Sequence, residues 1–424
     1  MQHSLYLHIP FCEHRCAYCD FNTYAGQSES IPAYVTALYK EIEHVCARAP
    51  AELRVHTIYF GGGTPSLLAP HQVGGVLNSI RASFSVDEGA EVTLEANPGT
   101  VSTDYLAAVR ESGINRLSFG VQSANGEELR LLERQHSYLD AINAVAGARR
   151  AGFENVNLDL IYGLPEQTLA TWQITIKRIL DLCPEHVSAY ALTLEHGTPF
   201  GAWSRRGLLS IPDPDLAADM YEWLSAAMEA AGYAQYEISN WAKGGRACRH
   251  NLQYWRGSPY LGFGAGAHGY AGGYRYSNSL RIGSFIDRLI IDRESEIGRH
   301  PGTHGSDHRH PRAGFEFPFS PAMIDHHQQS KEDDMSEFMI MGLRLTEEGL
   351  AAADFLERFG RSLRDVYPKE LQALTQLGLL EWESAGRSGS SSPMKGHGAE
   401  PSEVIRLTAR GRLLGNQVFM RFTN

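Results

Sequence analysis

The feature that most constrains this chain is a sixfold alternation of short apolar runs and amphipathic helix patterns across residues 4–194. Each run is rich in β-branched or aromatic residues, and each is followed by a loop and a helical pattern. Strands that alternate with helices form a parallel sheet, because every crossover returns the chain in the same direction. We therefore predict an α/β fold, a partial (β/α)6 barrel, with strands at Leu5–Ile9, Thr57–Phe60, Val92–Glu95, Arg116–Val121, Asn157–Ile161 and Val187–Leu192.

Three cysteines follow the first predicted strand in a Cys-x3-Cys-x2-Cys pattern, at Cys12, Cys16 and Cys19. Closely spaced thiols in an odd number indicate metal ligands rather than disulfides. A zinc site takes four protein ligands, or three and a water, whereas a [4Fe-4S] cluster held by three cysteines keeps one iron open. The spacing favours the cluster, and structural zinc is the alternative.

Polar residues follow the other predicted strands at the same end as the cysteines. Because working groups in a βα barrel lie at the carboxyl ends of the strands, these residues are candidates for a ligand site. Burying them is costly without a partner, so we expect a bound polar ligand, with ordinary strand-end caps as the alternative. Glycines let a backbone approach a ligand closely. The candidates are Gly61, Gly62, Gly63, Thr64, Glu95, Gln122, Arg134 and Asp159.

The cysteine pattern resembles the signature of the radical SAM enzymes. Four motifs narrow the resemblance to the HemN/HemW group and cover the barrel: residues 6–12, 61–65, 120–122 and 159–165. The resemblance implies a [4Fe-4S] cluster on Cys12, Cys16 and Cys19, with its open iron chelated by S-adenosylmethionine. It places Tyr6, Gly62 and Glu95 at a first S-adenosylmethionine site. It matches further positions that hold a second molecule in the dehydrogenases of the group, namely Tyr18, Gly63, Thr64, Gln122, Arg134 and Asp159.

Two departures separate this chain from those dehydrogenases, which oxidise coproporphyrinogen III. Phe21 stands where they carry a fourth cysteine, and their N-terminal extension is missing. The run from Arg249 to Trp255 instead resembles a His-Asn-x-x-Tyr-Trp heme motif. Imidazole is a common axial ligand of heme iron, and aromatic rings offer a flat apolar surface. The resemblance thus implies heme contacts from His250, Asn251, Tyr254 and Trp255, with His268 as a second-choice ligand and a packed histidine as the alternative.

The resemblance implies a heme-binding chaperone that delivers heme to recipient hemoproteins, including membrane-bound respiratory enzymes. An oxygen-independent coproporphyrinogen III dehydrogenase, an oxidoreductase, is the first alternative, so enzymatic activity is undecided. A zinc protein with a regulatory winged helix is the second. A second S-adenosylmethionine and a dimer are left open.

Composition changes along the chain predict three parts. Residues 1–290 form the barrel, with an extension at about 211–290 that carries the heme motif. Residues 291–332 read as a mobile insertion rich in proline, glycine and histidine. Its histidines, weak candidates for metal or heme binding, are His300, His304, His308, His310, His326 and His327.

Residues 333–424 read as helices followed by a strand pair at Leu379–Glu383 and Val404–Thr408, with Thr408 capping a last helix. That order resembles a winged helix and the C-terminal domain of the HemN group. Eleven Lys or Arg against thirteen Asp or Glu in this part argue against nucleic-acid binding, as does the overall net charge of −11.

The cysteine content and the hydropathy of the chain indicate where in the cell the protein acts. Six cysteines and no apolar run of membrane-spanning length indicate a cytoplasmic protein, with peripheral contact at the inner membrane face as the alternative. We interpret Cys46 and Cys248 as packed structural residues, with a redox-sensitive thiol or a heme neighbour as the alternative for Cys248, and we assign no role to Cys183.

Overall fold

The computed structural model describes residues 2–290, 315–384 and 403–423. The strands are β1 (Gln2–Ile9), β2 (Phe11–Cys12), β3 (Tyr24–Ala25), β4 (Arg54–Gly62), β5 (Ser85–Ala96), β6 (Arg116–Gln122), β7 (Val156–Tyr162), β8 (His186–Ala191), β9 (Ala234–Glu237), β10 (Asn240–Ala242), β11 (Tyr260–Phe263), β12 (His268–Ala271), β13 (Tyr274–Asn278), β14 (Met323–Gln328), β15 (Leu350–Ala351), β16 (Leu380–Ser384) and β17 (Glu403–Leu407). The helices are α1 (Ile31–Cys46), α2 (Pro70–Ser83), α3 (Thr103–Ser112), α4 (Gly126–Leu131), α5 (Tyr138–Arg150), α6 (Leu169–Leu180), α7 (Pro199–Arg205), α8 (Pro214–Ala230), α9 (Arg249–Trp255), α10 (Ile282–Ile290), α11 (Lys331–Gly342), α12 (Ala352–Phe359), α13 (Leu363–Val366), α14 (Pro368–Gln376), α15 (Ala409–Leu413) and α16 (Gly415–Phe419).

Twelve strands form one mixed sheet in the order β14-β13-β12-β11-β1-β4-β5-β6-β7-β8-β10-β9. Its six central strands, β1 and β4 to β8, pair in parallel and coincide with the six predicted strands. Helices follow each of them along the chain. The predicted α/β fold with a partial (β/α)6 barrel is confirmed.

Helix α1 shows how the sequence builds the outer layer. Proline occupies its first turn, where the missing N–H is not needed by the helix. Leu38 and Ile42 recur on its inner face and are fully buried against the sheet, each contributing roughly 1.5–3 kcal/mol from burial. Glu41 is also buried, and its carboxylate accepts hydrogen bonds from Gly264 N, Asn278 Nδ2 and Ser320 Oγ. This carboxylate ties α1 to the segments beside the barrel.

The sheet continues past β1 through four further strands. Strand β11 pairs in parallel with β1, and β12, β13 and β14 follow in antiparallel order. The glycine- and tyrosine-rich segment 257–273 thus forms strands β11 and β12 of this extension. We predicted a mobile insertion over residues 291–332. That prediction is wrong for residues 323–328, which form β14, and from Lys331 onward, where α11 begins. Strand β14 forms because its backbone pairs with β13, and the Pro- and Gly-rich composition of the segment gave no sign of that pairing.

Some histidines of the predicted insertion lie within the described residues and others do not. His300, His304, His308 and His310 lie outside the described residues. His326 packs its ring against Phe319, with ring centroids 4.7 Å apart. His327 is exposed on the opposite face of β14.

The C-terminal part has its own apolar core, formed between helices α11 to α14 and a three-stranded sheet in the order β15-β17-β16. The predicted strand pair is present, and the Thr408 hydroxyl accepts from Gly411 N to cap α15. Arg344 joins this domain to the barrel by an ion pair with the buried Glu237. No helix in the described ranges is long and apolar enough to cross a membrane.

The cysteines outside the triplet occupy three environments. Cys46 is half-buried and packs against the main core, and Cys248 is fully buried, as predicted. Cys183 is exposed in a turn where its φ is +50°. The turn after α6 directs this residue to solvent.

Candidate functional site

The carboxyl ends of the parallel strands surround a cavity of about 400 Å³. Cys12, Cys16 and Cys19 line it. All but one of the residues that we assigned to S-adenosylmethionine line it too, and these are Tyr18, Gly62, Gly63, Thr64, Glu95, Gln122, Arg134 and Asp159. The exception is Tyr6, which is not a lining residue and places its hydroxyl 3.0 Å from His8 Nδ1.

Backbone pairing between nearby residues fixes the shape of the cysteine loop. Strand β2, which ends at Cys12, pairs in parallel with β3 and so closes the loop. A turn brings Cys19 N to within 3.1 Å of Cys16 O. Thr64 Oγ1 donates to Cys12 Sγ at 3.7 Å, and Arg134 Nη1 donates to Cys16 Sγ at 3.5 Å. The sulfurs of Cys12 and Cys16 thus accept from a hydroxyl and a guanidinium, respectively, and both groups stabilise thiolate charge.

Burial raises the pKa of the Cys12 and Cys19 thiols, and hydrogen bonds from the loop only partly offset it. A metal that binds here therefore displaces protons. Within the described ranges, no three His, Cys, Asp or Glu side chains converge as ligands of one ion. Thiolates that bind different irons of a cuboidal cluster stand farther apart than the ligands of a single ion.

The glycine run allows the second strand to pass close to the first. Gly62 has φ of +115°, and a Cβ there would lie 2.7 Å from the His8 ring. A Cβ on Gly63 would lie 2.6 Å from Phe11 O. The N–H of Gly62 donates to Glu95 Oε2 at 3.0 Å, and that of Gly63 donates to Ile9 O at 2.9 Å. Protein acceptors already use these N–H groups, so the glycine run contributes close approach of the strands.

Two carboxyl groups line the cavity from β5 and β7, the two strands that flank β6. Burial and then the nearby Asp159 raise the pKa of Glu95 to about 7. Burial likewise raises the pKa of Asp159, which accepts from Ser118 Oγ and Asn157 Nδ2. Paired carboxyls with raised pKa values are suited to bind a cationic or hydrogen-bond-donating group.

Arg134 provides the opposite charge on the same wall. Its Nη2 donates to Gly120 O at 2.7 Å, while its Nε is buried without a hydrogen-bond partner among the described residues. Gln122, at the end of β6, adopts φ of +67°, which is uncommon for a residue with a side chain. A ligand that carries both an amino group and a carboxylate can meet Glu95 and Asp159 through its amino group and Arg134 through its carboxylate.

The heme motif lies behind this cavity, on α9. His250 is 1% exposed. Its Nδ1 lies 2.8 Å from Thr57 Oγ1, and its Nε2 lies 2.8 Å from the Tyr254 hydroxyl. Burial lowers the pKa of His250 to about 3, so the ring is neutral. The expectation that His250 offers a free nitrogen to heme iron is wrong for this conformation, because both nitrogens are engaged and the ring is enclosed.

His250 instead supports the cavity wall. Its ring stacks on Tyr59 with centroids 5.0 Å apart and 28° between the planes. The Tyr59 hydroxyl donates to Glu95 Oε1 at 2.8 Å. The heme motif is therefore linked to the carboxyl of Glu95 by two successive contacts, from His250 to Tyr59 and from Tyr59 to Glu95.

The other motif residues are also engaged within the protein. Arg344 lies over the Trp255 ring at 4.3 Å, which joins the motif to the C-terminal domain. Asn251 Nδ2 donates to the Tyr236 hydroxyl at 3.5 Å. Asn251, Tyr254 and Trp255 are half-buried, and their contact with heme stays a prediction.

Sequence reasoning missed Tyr59 as a site residue. Tyr59 lines the cavity, and it shares one face of β4 with Thr57 and Gly61 because alternate strand residues face the same way. That period-two pattern was visible in the sequence and would have identified it. Tyr190, which also lines the cavity from the end of β8, could have been found by the same pattern.

Comparison with known proteins now defines the class. The family model for the Radical SAM superfamily matches residues 6–179, and that for the HemN C-terminal domain matches residues 329–386. The solved structure titled coproporphyrinogen III oxidase (HemN) from Escherichia coli superposes with a TM-score of 0.76 at 24% identity, covering 99% of this chain and 90% of that one. The fold is that of a radical SAM protein with a HemN-type C-terminal domain.

Full-length relatives define the family more narrowly. The protein named Heme chaperone HemW from Bacillus subtilis is 38% identical over 420 residues, which is 99% of this chain and 98% of the relative. That of Lactococcus lactis is 33% identical over 99% of this chain and 97% of its own length. The Escherichia coli protein of the same name is 43% identical over 63% of this chain and 69% of its own. The chain belongs to the HemW family.

Proposed function

We propose that this protein binds a [4Fe-4S] cluster, S-adenosylmethionine and heme, and delivers heme to recipient hemoproteins. The observation that carries the proposal is the cavity in which Cys12, Cys16 and Cys19 face Arg134 and the paired carboxyls of Glu95 and Asp159. The name of the full-length relatives, Heme chaperone HemW, supports the choice of heme as cargo.

The residues present fit the cluster and its ligand. Three cysteines supply thiolates, and the glycine run lets β4 pack closely against β1 and β2 beside them. The buried Nε of Arg134, which has no hydrogen-bond partner in the part of the chain that the structure describes, can donate to a carboxylate. With one iron left open, a three-cysteine cluster supplies a chelation point for the amino and carboxylate groups of S-adenosylmethionine.

The protein's own groups then have separable roles. Arg134 and Thr64 stabilise the thiolates of Cys16 and Cys12 through the hydrogen bonds described above. Glu95 orients Gly62 and is itself oriented by Tyr59. We propose membrane-bound respiratory enzymes as recipients.

The dehydrogenase alternative predicts turnover of coproporphyrinogen III. Phe21, which replaces its expected fourth cysteine, is 64% exposed and lines the cavity. An exposed ring at this position offers apolar contact and no ligand, so we favour binding over oxidation.

Parallel assays on anaerobically reconstituted protein test the proposal. We expect hemin to bind with micromolar or tighter affinity, at least about −8 kcal/mol, and to transfer to a purified heme-free b-type respiratory cytochrome. We expect no consumption of coproporphyrinogen III. Turnover of coproporphyrinogen III without hemin binding would replace the chaperone function by the dehydrogenase function.

A further inference from the structure

Helix α9 packs against β4 just below the cysteine cavity. Thr57 and Tyr59 face the same way on β4, and Tyr59 lines the cavity whereas Thr57 does not. His250 contacts both of them, through the bond to Thr57 and the ring stacking on Tyr59. His250 itself is not a lining residue, so it can act on a ligand in the cavity only through its neighbours.

Contacts at both ends of α9 hold the His250 ring in place. At the start of the helix, the Glu91 carboxylate accepts from His250 N at 3.2 Å. At its end, Arg256 donates to Glu348 of the C-terminal domain at 2.6 Å. Both ring nitrogens of His250 are engaged as well, so the ring cannot turn without breaking a hydrogen bond. Helix α9 therefore presents this ring to Tyr59 in a fixed plane.

Tyr59 is packed from the other side too. The ring centroids of Tyr6, Tyr59 and His250 lie within 6.4 Å of one another. Gly61 leaves the space that this packing needs, since a Cβ there would lie 2.9 Å from the Tyr59 ring and 3.2 Å from Glu95 Oε1. The Tyr59 hydroxyl donates to that oxygen, and a backbone N–H of the glycine run donates to Oε2. Both oxygens of the Glu95 carboxyl are thus held by groups of β4.

We propose that His250 is a positioning residue of the S-adenosylmethionine site, which holds Tyr59 so that its hydroxyl aims the Glu95 carboxylate into the cavity. The proposal rests on the S-adenosylmethionine binding proposed above and names a residue outside the cavity on which that binding depends. A hydrogen bond to an ionised group is stronger than one between neutral groups, so its loss is measurable as an affinity.

The surroundings of Glu95 give positioning a signature that general loss of structure does not share. The Tyr59 hydroxyl stabilises the ionised carboxyl, whereas burial and Asp159 raise its pKa to about 7. Without the hydroxyl that pKa rises further, and more of the carboxyl is protonated near neutral pH. The titratable or charged groups that face Glu95 are Asp159 on β7, Arg116 on β6, Tyr59 on β4, Tyr6 on β1 and Tyr254 on α9. Burial raises the pKa of each of these tyrosines, so they stay neutral near pH 7.

Equilibrium titration of S-adenosylmethionine into the full-length, reconstituted protein tests the proposal. Tyr59→Phe, which deletes the hydroxyl and keeps the ring, should weaken binding about tenfold near neutral pH, a loss of about 1.4 kcal/mol. His250→Gln should weaken it about fivefold, and far less in the Tyr59→Phe background, because the two residues act in series. The deficit of each variant should be largest near about pH 6 and shrink toward about pH 8.5. Tyr105→Phe, which removes a hydroxyl bonded to Leu68 O at 3.0 Å in the outer helix layer, is the matched control and should bind like the parent.

The outcomes separate positioning from the proposed function. If the parent binds S-adenosylmethionine and His250→Gln binds it equally well at every pH, positioning is wrong and S-adenosylmethionine binding stands. Additive losses in the double variant, or a deficit that is constant with pH, would also overturn it. If the parent fails to bind, the proposed function falls and positioning falls with it. Tyr254→Phe, which removes the partner of His250 Nε2 and keeps both rings, replaces His250→Gln if circular dichroism shows that variant unfolded.

Discussion

Replacing His250 by Ala should destabilise the barrel by at least about 3 kcal/mol. The change removes two hydrogen bonds, at about 1 kcal/mol each, and leaves the Tyr254 hydroxyl without its partner, at about 1–3 kcal/mol. A fully buried ring is also lost, so an incompletely filled cavity adds to the cost. His250→Gln can keep one of the two bonds and should lose less than half as much.

Urea denaturation of the metal-free protein, followed by far-ultraviolet circular dichroism, measures the effect as a lower midpoint. His268→Ala is the matched control, since it removes the same side chain from an exposed strand position and should change stability by less than about 0.5 kcal/mol. If His250→Ala unfolds at the parent's midpoint, the ring is not held as described. Its nitrogens would then be free to bind heme iron.

Three further changes follow from the same structure. Gly62→Ala should weaken S-adenosylmethionine binding by about tenfold in equilibrium titrations, because it strains a φ of +115° and places a Cβ 2.7 Å from His8. Gly89→Ala, where a Cβ meets nothing within 4 Å, should match the parent, and equal affinities for both variants would show that the backbone at Gly62 does not shape the S-adenosylmethionine site. Cys16→Ser should lower the iron content of reconstituted protein well below about four per chain, whereas Cys183→Ser, at an exposed turn, should not. Burial raises the pKa of Glu41 to about 7, so its contribution to stability is complete below the unfolded pKa near 4.5 and is lost as pH rises through 7. Unfolding midpoints of the parent should therefore fall between pH 5 and 7.5, and those of Glu41→Gln should fall less; parallel profiles would show that Glu41 does not titrate in this range.

The barrel could be predicted because its signals are local. Apolar runs of period two and helices of period 3.6 identify β1 and β4 to β8 without any knowledge of long-range contacts. The gathering of Glu95, Arg134 and Asp159 at one end then follows from the rule that parallel strands share a direction.

The errors arise where distant pairing decides the structure. Burial of His250 depends on Thr57, which lies 193 residues away in the chain. Strand β14 forms because β13 offers an edge, although its own sequence carries weak strand signals. Tyr6 contacts His8 and does not line the cavity. Side-chain packing decides between these two positions, and the alternation of residues in β1 does not indicate which one is adopted.

The most direct test of the central claim is the electron paramagnetic resonance spectrum of the reduced, reconstituted protein with and without S-adenosylmethionine. The claim is that Cys12, Cys16 and Cys19 hold a cluster whose open iron faces the cavity lined by Gly62, Glu95 and Arg134. We predict a [4Fe-4S]¹⁺ signal that changes on addition of S-adenosylmethionine, as its amino and carboxylate groups reach the open iron. A signal that stays unchanged at saturating S-adenosylmethionine would contradict the account.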